Sequence, residues 1–356
     1  MTVQNARLGR LGSAVFREEI DAFYVSALSN IRYLTGFTGS AGHLLVEPGR
    51  TTLFVDGRYD DQAREQTSGI EVRVSPTDPF DVLLSELRNR RLLHIGVERN
   101  RLSLAAYERL SGVRKKIRPL EGVVEDLRAV KSPEEIDRLR KSAFLNSEVF
   151  ESVVGRLRPS WSETRLAGEL EYEMRRRGAE GASFPSIVAS GPHGARPHAA
   201  PRSVKLQRSS LVVVDHGAIL DGYASDMTRM IALGRPSSDQ LALVDAVREA
   251  QQAAIDSVRA GVACATVDRA ARKVLKKKGL DRYFVHSTGH GLGLEIHEAP
   301  RIASAVSTRL KAGMVITIEP GVYLEGIGGV RIEDVVVVGR DGCESLTPTS
   351  RELRIL

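Results

Sequence analysis

Carboxylates that interrupt valine-rich strand patterns constrain the fold of this 356-residue chain more than any other feature. Residues 211–215 and 222–226 read as strands, and each ends in an aspartate, Asp215 or Asp226. The Asp221-Gly222 dipeptide between them predicts a two-residue hairpin turn that places both carboxylates on one sheet face. Like charges in an apolar sheet repel one another and lose hydration, so they need a cation between them. A turn cap, or an ion pair with Arg229, is the structural alternative.

A second acidic pair lies in two further apolar strand patterns, residues 314–319 and 329–338. Glu319 ends the first pattern, and Glu333 follows Arg331 in the second. Glycines near the midpoint between the two glutamates predict a hairpin that brings them together. An ion pair between Arg331 and Glu333 is the alternative that involves no ligand.

Three of the eight histidines fall within twelve residues, in a glycine-rich segment that contains His286, His290 and His297. Imidazoles at this density indicate metal-ligand or proton-transfer chemistry. The segment lacks both the Lys-Ser/Thr ending of a Walker motif and the glycine spacing of a dinucleotide-binding fold, so we exclude a phosphate-binding loop.

These groups together predict a metal centre. Four carboxylates and the imidazole of His290 carry too much negative charge for one divalent ion and suit two. An oxygen-rich set with one nitrogen favours Mn²⁺ or Co²⁺, with Zn²⁺ and Fe²⁺ as alternatives. A metal-bound water with a pKa near ~7 is a hydrolytic nucleophile. The residues alone therefore predict a dinuclear metallohydrolase and leave the cleaved bond open.

The chain divides into two predicted domains of α/β (α+β) class. Strand and helix patterns alternate over residues 1–129, which predicts a mixed α/β domain. Near Val130 the pattern changes, and Ser132-Pro-Glu-Glu135 predicts a capped helix start. Two helices followed by strands then occur twice, over residues 132–230 and 237–340. Residues 130–356 are therefore expected to form one domain with pseudo-twofold symmetry.

Three motifs surround the predicted ligands: Asp226-Met-Thr-Arg229, Gly289-His-Gly-Leu-Gly293 and Thr317-Ile-Glu-Pro-Gly321. They resemble motifs of the pita-bread metallopeptidase family, in its Xaa-Pro dipeptidase (prolidase) and aminopeptidase P group. Residues 30–37 and 55–59 resemble the creatinase-like N-terminal domain of prolidases, aminopeptidases P and creatinase. Methionine aminopeptidases, which share the catalytic fold, lack that front domain.

The resemblance implies a role for each predicted ligand. Asp226 and Glu333 are expected to bridge two metal ions. Asp215 is expected to bind one ion, and His290 with Glu319 the other. Glu319 is also expected to act as general base for the metal-bridging hydroxide.

Further residues are implied to contact or support the substrate. They are His198 near the scissile bond, His297 for the tetrahedral intermediate, His286 in the pocket wall, Phe184 against the proline ring, Arg331 behind the ligand carboxylates and Arg301 at the substrate's C-terminal carboxylate.

The function implied by the resemblance is hydrolysis of the Xaa-Pro bond of dipeptides. Arg301 and the compact length favour a dipeptidase, because a guanidinium can pair with a free C-terminal carboxylate. An aminopeptidase P that acts on longer Xaa-Pro-Yaa peptides is the alternative. A creatinase-like non-peptidase or a binding protein is less favoured, because every ligand position is intact.

Composition limits the partners. The net charge of +6 comes from lysine and arginine clusters without interleaved aromatic residues, which does not indicate nucleic-acid binding. No apolar run approaches ~18 residues, so no membrane span is predicted. Two cysteines cannot build a disulfide framework, and a cytoplasmic protein is expected. The resemblance also implies a homodimer.

Overall fold

The computed structural model describes residues 3–16 and 19–356. Within it the chain forms two compact units, the first ending at Arg128 and the second comprising Ala129–Leu356. This division lies close to the change of pattern at Val130.

The first unit contains a six-stranded mixed sheet with strand order β4-β3-β2-β1-β5-β6. The strands are β1 (Ala22–Val25), β2 (His43–Glu47), β3 (Arg50–Asp56), β4 (Glu71–Ser75), β5 (His94–Glu98) and β6 (Lys116–Leu120). The helices along this part of the chain are α1 (Val3–Val15), α2 (Leu28–Thr35), α3 (Asp60–Gln66), α4 (Pro79–Asn89), α5 (Leu104–Ser111) and α6 (Val123–Ala129). The leucines of α4 recur on one face, and they pack with Tyr24 and Phe54 of the sheet in one core.

The second unit repeats one element order. Its helices are α7 (Pro133–Gly155), α8 (Glu163–Arg176), α9 (Ser238–Asp256) and α10 (Cys264–Lys277). Strands β7 (Gly181–Ala182), β8 (Ile187–Ser190), β9 (Leu211–His216), β10 (Ala218–Leu220), β11 (Tyr223–Ala224) and β12 (Met227–Ala232) follow the first helix pair. The second pair is followed by β13 (Gly289–Gly291), β14 (Glu298–Ile302), β15 (Val315–Ile318), β16 (Gly321–Leu324), β17 (Gly328–Arg331), β18 (Asp334–Val338), β19 (Cys343–Ser345) and β20 (Arg354–Ile355).

Each helix pair covers its own sheet core. Helices α7 and α8 pack on the four-stranded sheet β20-β12-β9-β8, where Leu166, Leu170 and Met174 form the buried stripe of α8. Helices α9 and α10 contribute to a second core with residues of β15 and β18, which lie in the five-stranded sheet β14-β13-β15-β18-β19. This repeat confirms the predicted α/β architecture, with two helices and then strands in each half.

The predicted helix starts are confirmed. Ser132 accepts a hydrogen bond from the N–H of Glu135, whose side chain accepts one from the N–H of Ser132. Ser237 and Gln240 form the same capping box at α9. These reciprocal bonds satisfy N–H groups that an uncapped helix would leave unpaired.

The Asp221-Gly222 turn is also confirmed. Both residues have positive φ, 51° and 78°, and Leu220 pairs directly with Tyr223. The same register continues into β9 and β12, where Asp215 lies opposite Thr228. Asp226 consequently precedes β12 on the face that carries Asp215.

The two strand patterns that contain Glu319 and Glu333 differ from the prediction in one respect: each strand is interrupted at its glutamate. Ile318 pairs with Asp334 at the end of β15–β18, and Gly321 pairs with Arg331 at the start of β16–β17. Both pairings share one register, which sets Glu319 opposite Glu333 across the break. The glutamates therefore lie outside the ladders, where their side chains can turn toward a common centre.

In the part of the chain that the structure describes, no helix is both long enough and apolar enough to cross a membrane.

Candidate metal and peptide-binding site

A cavity of about 740 Å³ in the second unit is lined by every site residue that the sequence predicts. These residues are Phe184, His198, Asp215, Asp226, His286, His290, His297, Arg301, Glu319, Arg331 and Glu333. They come from both halves of the repeated order, so the cavity lies at the junction of the two sheets.

Three of the predicted ligands already form a compact group. Asp226, His290 and Glu333 each offer one ligand atom, and these atoms lie within 4.8 Å of one another. Nε2 of His290 lies 3.6 Å from Oδ2 of Asp226 and 3.6 Å from Oε1 of Glu319. Asp215 lines the same cavity, held by Arg331.

The imidazole of His290 presents its unprotonated nitrogen, Nε2, to the carboxylates. Its Nδ1 lies 3.0 Å from the carbonyl oxygen of Gly291, and because a carbonyl only accepts, Nδ1 carries the hydrogen. Burial lowers the pKa of His290, which keeps the ring neutral. A neutral imidazole with a free Nε2 is the form that binds a metal.

The surroundings of the site carboxylates disfavour their ionised form. Burial raises the pKa of Asp226 and of Glu333 well above ordinary values, and the neighbouring carboxylates add to both shifts. Burial also raises the pKa of Glu319 to about 7. A cation among them would remove the repulsion that causes part of these shifts.

Two buried carboxylate oxygens support this interpretation. Oδ1 of Asp215 and Oε1 of Glu333 have no hydrogen-bond partner among residues 3–16 and 19–356. Buried polar atoms are normally paired, and oxygen ligands are those that divalent cations such as Mn²⁺ prefer. The donor set therefore fits divalent cations.

Arg331 fixes the opposite oxygens of this group. Its guanidinium donates to Oδ2 of Asp215 at 2.5 Å and to Oγ1 of Thr228 at 3.1 Å. Thr228 in turn donates to Oε2 of Glu333 at 2.7 Å. Arg331 does not pair with Glu333, so the alternative interpretation of that motif is wrong.

Arg229 does not neutralise the aspartates either. It donates to Asp334 and to the carbonyl oxygen of Glu333, and all three residues are buried. This pair anchors the backbone beside Glu333 and leaves Asp215 and Asp226 available for a cation.

The glycine at position 289 permits the close approach of the strands that carry His290 and Glu319. A Cβ atom on Gly289 would lie 2.0 Å from the carbonyl oxygen of Thr317. Thr317 also accepts the backbone N–H of His290 through its hydroxyl at 3.1 Å.

Tyr323 is a site residue that the sequence analysis missed. Its hydroxyl accepts a hydrogen bond from Arg331 at 2.6 Å and lies 2.9 Å from Nε2 of His286. Nδ1 of His286 donates to the carbonyl oxygen of Ser287, so Tyr323 donates to Nε2. Burial lowers the pKa of His286 to about 4, consistent with a neutral ring. Only its position four residues after Glu319 distinguishes this tyrosine in the sequence.

The remaining predicted residues line the cavity without being ligands. The ring of His297 packs edge-on against His290, with centroids 4.5 Å apart. His198 is exposed to the cavity, and Phe184 contributes an apolar wall. Arg301 pairs with His290 in the strand register, and its side chain makes no ion pair with any residue that the structure describes.

Comparisons with known proteins agree with this geometry. Residues 137–340 match the model of metallopeptidase family M24, and residues 7–130 match the creatinase/prolidase N-terminal domain. The Xaa-Pro dipeptidase of Pyrococcus furiosus is 35% identical over 348 residues, 98% of this chain and 99% of that protein.

Solved structures give the same result. The Xaa-Pro dipeptidase from Bacillus anthracis is 37% identical with a TM-score of 0.96, over 99% of this chain and 100% of that one. The X-Pro aminopeptidase from Thermotoga maritima is 35% identical with a TM-score of 0.90, over 97% and 100%. These similarities confirm the expected pita-bread fold, which follows a creatinase-like domain along the chain.

Family membership implies divalent metal ions, as the donor set does. Because both family models match, the chain belongs to metallopeptidase family M24, in the form that carries a creatinase/prolidase N-terminal domain.

Proposed function

We propose that this chain hydrolyses the Xaa-Pro bond of dipeptides with two divalent cations, Mn²⁺ or Co²⁺. The observation that carries the proposal is the convergence of four carboxylates and one neutral imidazole on a cavity that also contains Arg301, which makes no ion pair within residues 3–16 and 19–356. Asp215, Asp226, His290, Glu319 and Glu333 would hold the cations. When bound, two such ions lower the pKa of water and polarise a peptide carbonyl.

Glu319 is the proton acceptor in this proposal. Burial raises its pKa in the metal-free chain, and a bound cation lowers it again, so that the carboxylate is ionised and able to accept a proton. Its backbone N–H donates to the carbonyl oxygen of Thr288 at 2.7 Å, which fixes the residue at the strand break.

His198 and His297 supply hydrogen-bond donors from the cavity wall to the carbonyl oxygen of the scissile bond, where negative charge develops. Phe184 and Ile187 offer apolar surface for the pyrrolidine ring of proline. Arg301 selects the free C-terminal carboxylate of a dipeptide by a bidentate ion pair.

The Thermotoga maritima similarity supports one alternative, an aminopeptidase P that removes the first residue from Xaa-Pro-Yaa peptides. Hydrolysis of Ala-Pro and of Ala-Pro-Ala at saturating Mn²⁺ distinguishes the two, with chelated protein as the control. We expect faster cleavage of the dipeptide. Faster cleavage of the tripeptide would favour the alternative, and hydrolysis of neither with Mn²⁺ or Co²⁺ would refute both.

We also propose a cytoplasmic homodimer. The likeness of residues 7–130 to the creatinase/prolidase N-terminal domain supports pairing, and the two free cysteines agree with a reducing compartment. Light scattering of the purified protein should give twice the chain mass of 38.9 kDa, and a monomer would contradict the pairing.

A further inference from the structure

His198 lies on a loop whose two ends meet at one buried carboxylate. Residues 190–202 run from the end of β8 through a short 3₁₀ helix, Gly191–Ala195, to Arg202. Glu163, the first residue of α8, has no exposed surface. The sequence identifies it only as an acidic residue in the first turn of a helix.

Glu163 accepts hydrogen bonds from both ends of this loop. Its Oε1 accepts the backbone N–H of Ser190 at 2.9 Å, and its Oε2 accepts the backbone N–H of Arg202 at 2.9 Å. The guanidinium of Arg202 adds a bidentate pair at 3.0 and 2.9 Å. Because one rigid group bonds to both ends, the span of the loop is fixed.

A third contact reaches the interior of the loop. Nδ1 of His193, a buried residue, lies 3.1 Å from Oε2 of Glu163 and donates to it. On the cavity side, Arg331 donates to the carbonyl oxygen of Pro197 at 3.2 Å. The residue before His198 is therefore tied to the metal-site arginine, while both loop ends are tied to Glu163.

The carboxylate remains ionised in this position. Burial alone would raise the pKa of Glu163, but the hydrogen bonds from Arg202 and from the backbone N–H groups outweigh it and lower the pKa. The negative charge thus holds donor groups of three loop residues, Ser190, His193 and Arg202, at once.

We propose that Glu163 is a positioning residue for peptide hydrolysis, which sets the place of His198 in the cavity through the loop of residues 190–202. His193 and Arg202 are part of the same device. This inference rests on the proposed function, because it assigns His198 to the substrate.

The test is a double-mutant cycle on the full metal-loaded chain. Glu163→Gln keeps the shape of the side chain but turns an acceptor oxygen into a donor that faces Arg202 or the backbone N–H groups. We expect it to lower kcat/KM for Ala-Pro by about 10- to 100-fold, the effect of a reacting group displaced by about 1 Å. In a His198→Ala background the same substitution should change kcat/KM less than twofold.

Glu173→Gln is the matched control, because Glu173 lies on the same helix, has a buried side chain and pairs with arginines. It should leave kcat/KM unchanged. An equal loss in Glu173→Gln, or the same loss from Glu163→Gln with and without His198, would overturn the inference.

A second readout does not depend on turnover. NMR spectra of chelated protein labelled at histidine would show the ring signal of His198, assigned by its loss in His198→Ala. This signal should shift in Glu163→Gln and keep its position in Glu173→Gln. An unmoved signal would overturn the inference. A wild-type chain that cleaves no Xaa-Pro peptide would instead refute the proposed function, whatever the spectra show.

Discussion

Replacing Glu319 by glutamine should stabilise the metal-free protein at alkaline pH and abolish the peptidase activity of the metal-loaded protein. Burial and the charge of Asp215 raise the pKa of Glu319 to about 7, although Arg331 acts in the opposite direction. The unfolded chain ionises this group near the ordinary glutamate pKa of 4.5, so the folded chain binds more protons between pH 4.5 and pH 7. The stability that the protonated Glu319 carboxyl contributes is therefore fully present below pH 4.5 and is lost as pH rises through 7.

A pKa unit corresponds to 1.36 kcal/mol, so the shift of Glu319 costs the chelated wild type about 3 kcal/mol at pH 8. Glutamine carries no charge and avoids that cost. At about 2–4 °C per kcal/mol for a unit of this size, Glu319→Gln should melt about 6–12 °C higher than wild type at pH 8, and within a few degrees at pH 5.

The assay is thermal unfolding of chelated protein between pH 5 and 8. Glu173→Gln is the control of opposite sign, because hydrogen bonds to Glu173, that from Arg176 above all, lower the pKa of Glu173 to about 2. Its stabilisation exists above pH 4.5 and is lost as pH falls through 2, so Glu173→Gln should melt lower than wild type at pH 8. The reasoning would be refuted if Glu319→Gln were no more stable than wild type at pH 8, or if its advantage did not change with pH.

Three further predictions concern metal and substrate. Mn²⁺ at 100 times its Kd should stabilise the chelated protein by about 2.7 kcal/mol for each bound ion, which calorimetry would record as a rise in Tm of about 5–10 °C per ion; no rise would contradict the metal site. Gly289→Ala should separate the strands that carry His290 and Glu319, and it should weaken Mn²⁺ binding at least tenfold by isothermal titration; unchanged affinity would show that the close contact is not needed. Arg301→Ala should reduce kcat/KM for Ala-Pro by about 10- to 150-fold through a lost charged hydrogen bond while sparing Ala-Pro-Ala, and equal losses on both peptides would remove Arg301 from the carboxylate site.

Much of the site was predictable because local rules place its residues. The Asp221-Gly222 turn fixes the register that sets Asp215 near Asp226, and the same reasoning brings Glu319 opposite Glu333. Turn chemistry and a two-residue period act over short distances along the chain, so a single sequence is enough to apply them.

The break in the glutamate strands was not predictable in this way. Val322 and Val330 continue the strand patterns, but the backbone leaves the ladder at both glutamates and resumes in a separate two-stranded sheet. The strand patterns run through both glutamates and therefore do not show that the ladder ends there.

Contacts between distant segments were missed for the same reason. Tyr323 and Glu163 have ordinary positions in the sequence, one in a strand and one at a helix start. Their roles appear only when Arg331 and the loop of residues 190–202 are in place around them. Glu163 lies 39 residues from Arg202 along the chain, and Tyr323 lies 37 residues from His286, so no local pattern links these partners.

The most direct test of the metal site is a titration of chelated protein with Mn²⁺, with release of alanine from Ala-Pro measured at each step. Asp226→Asn, which removes one ligand charge beside His290, serves as the matched variant. The account predicts that wild-type activity is absent without metal and reaches its plateau at two Mn²⁺ per chain, and that the variant stays inactive at that ratio. Full activity in the chelated protein, or no hydrolysis at any concentration of Mn²⁺ or Co²⁺, would contradict it.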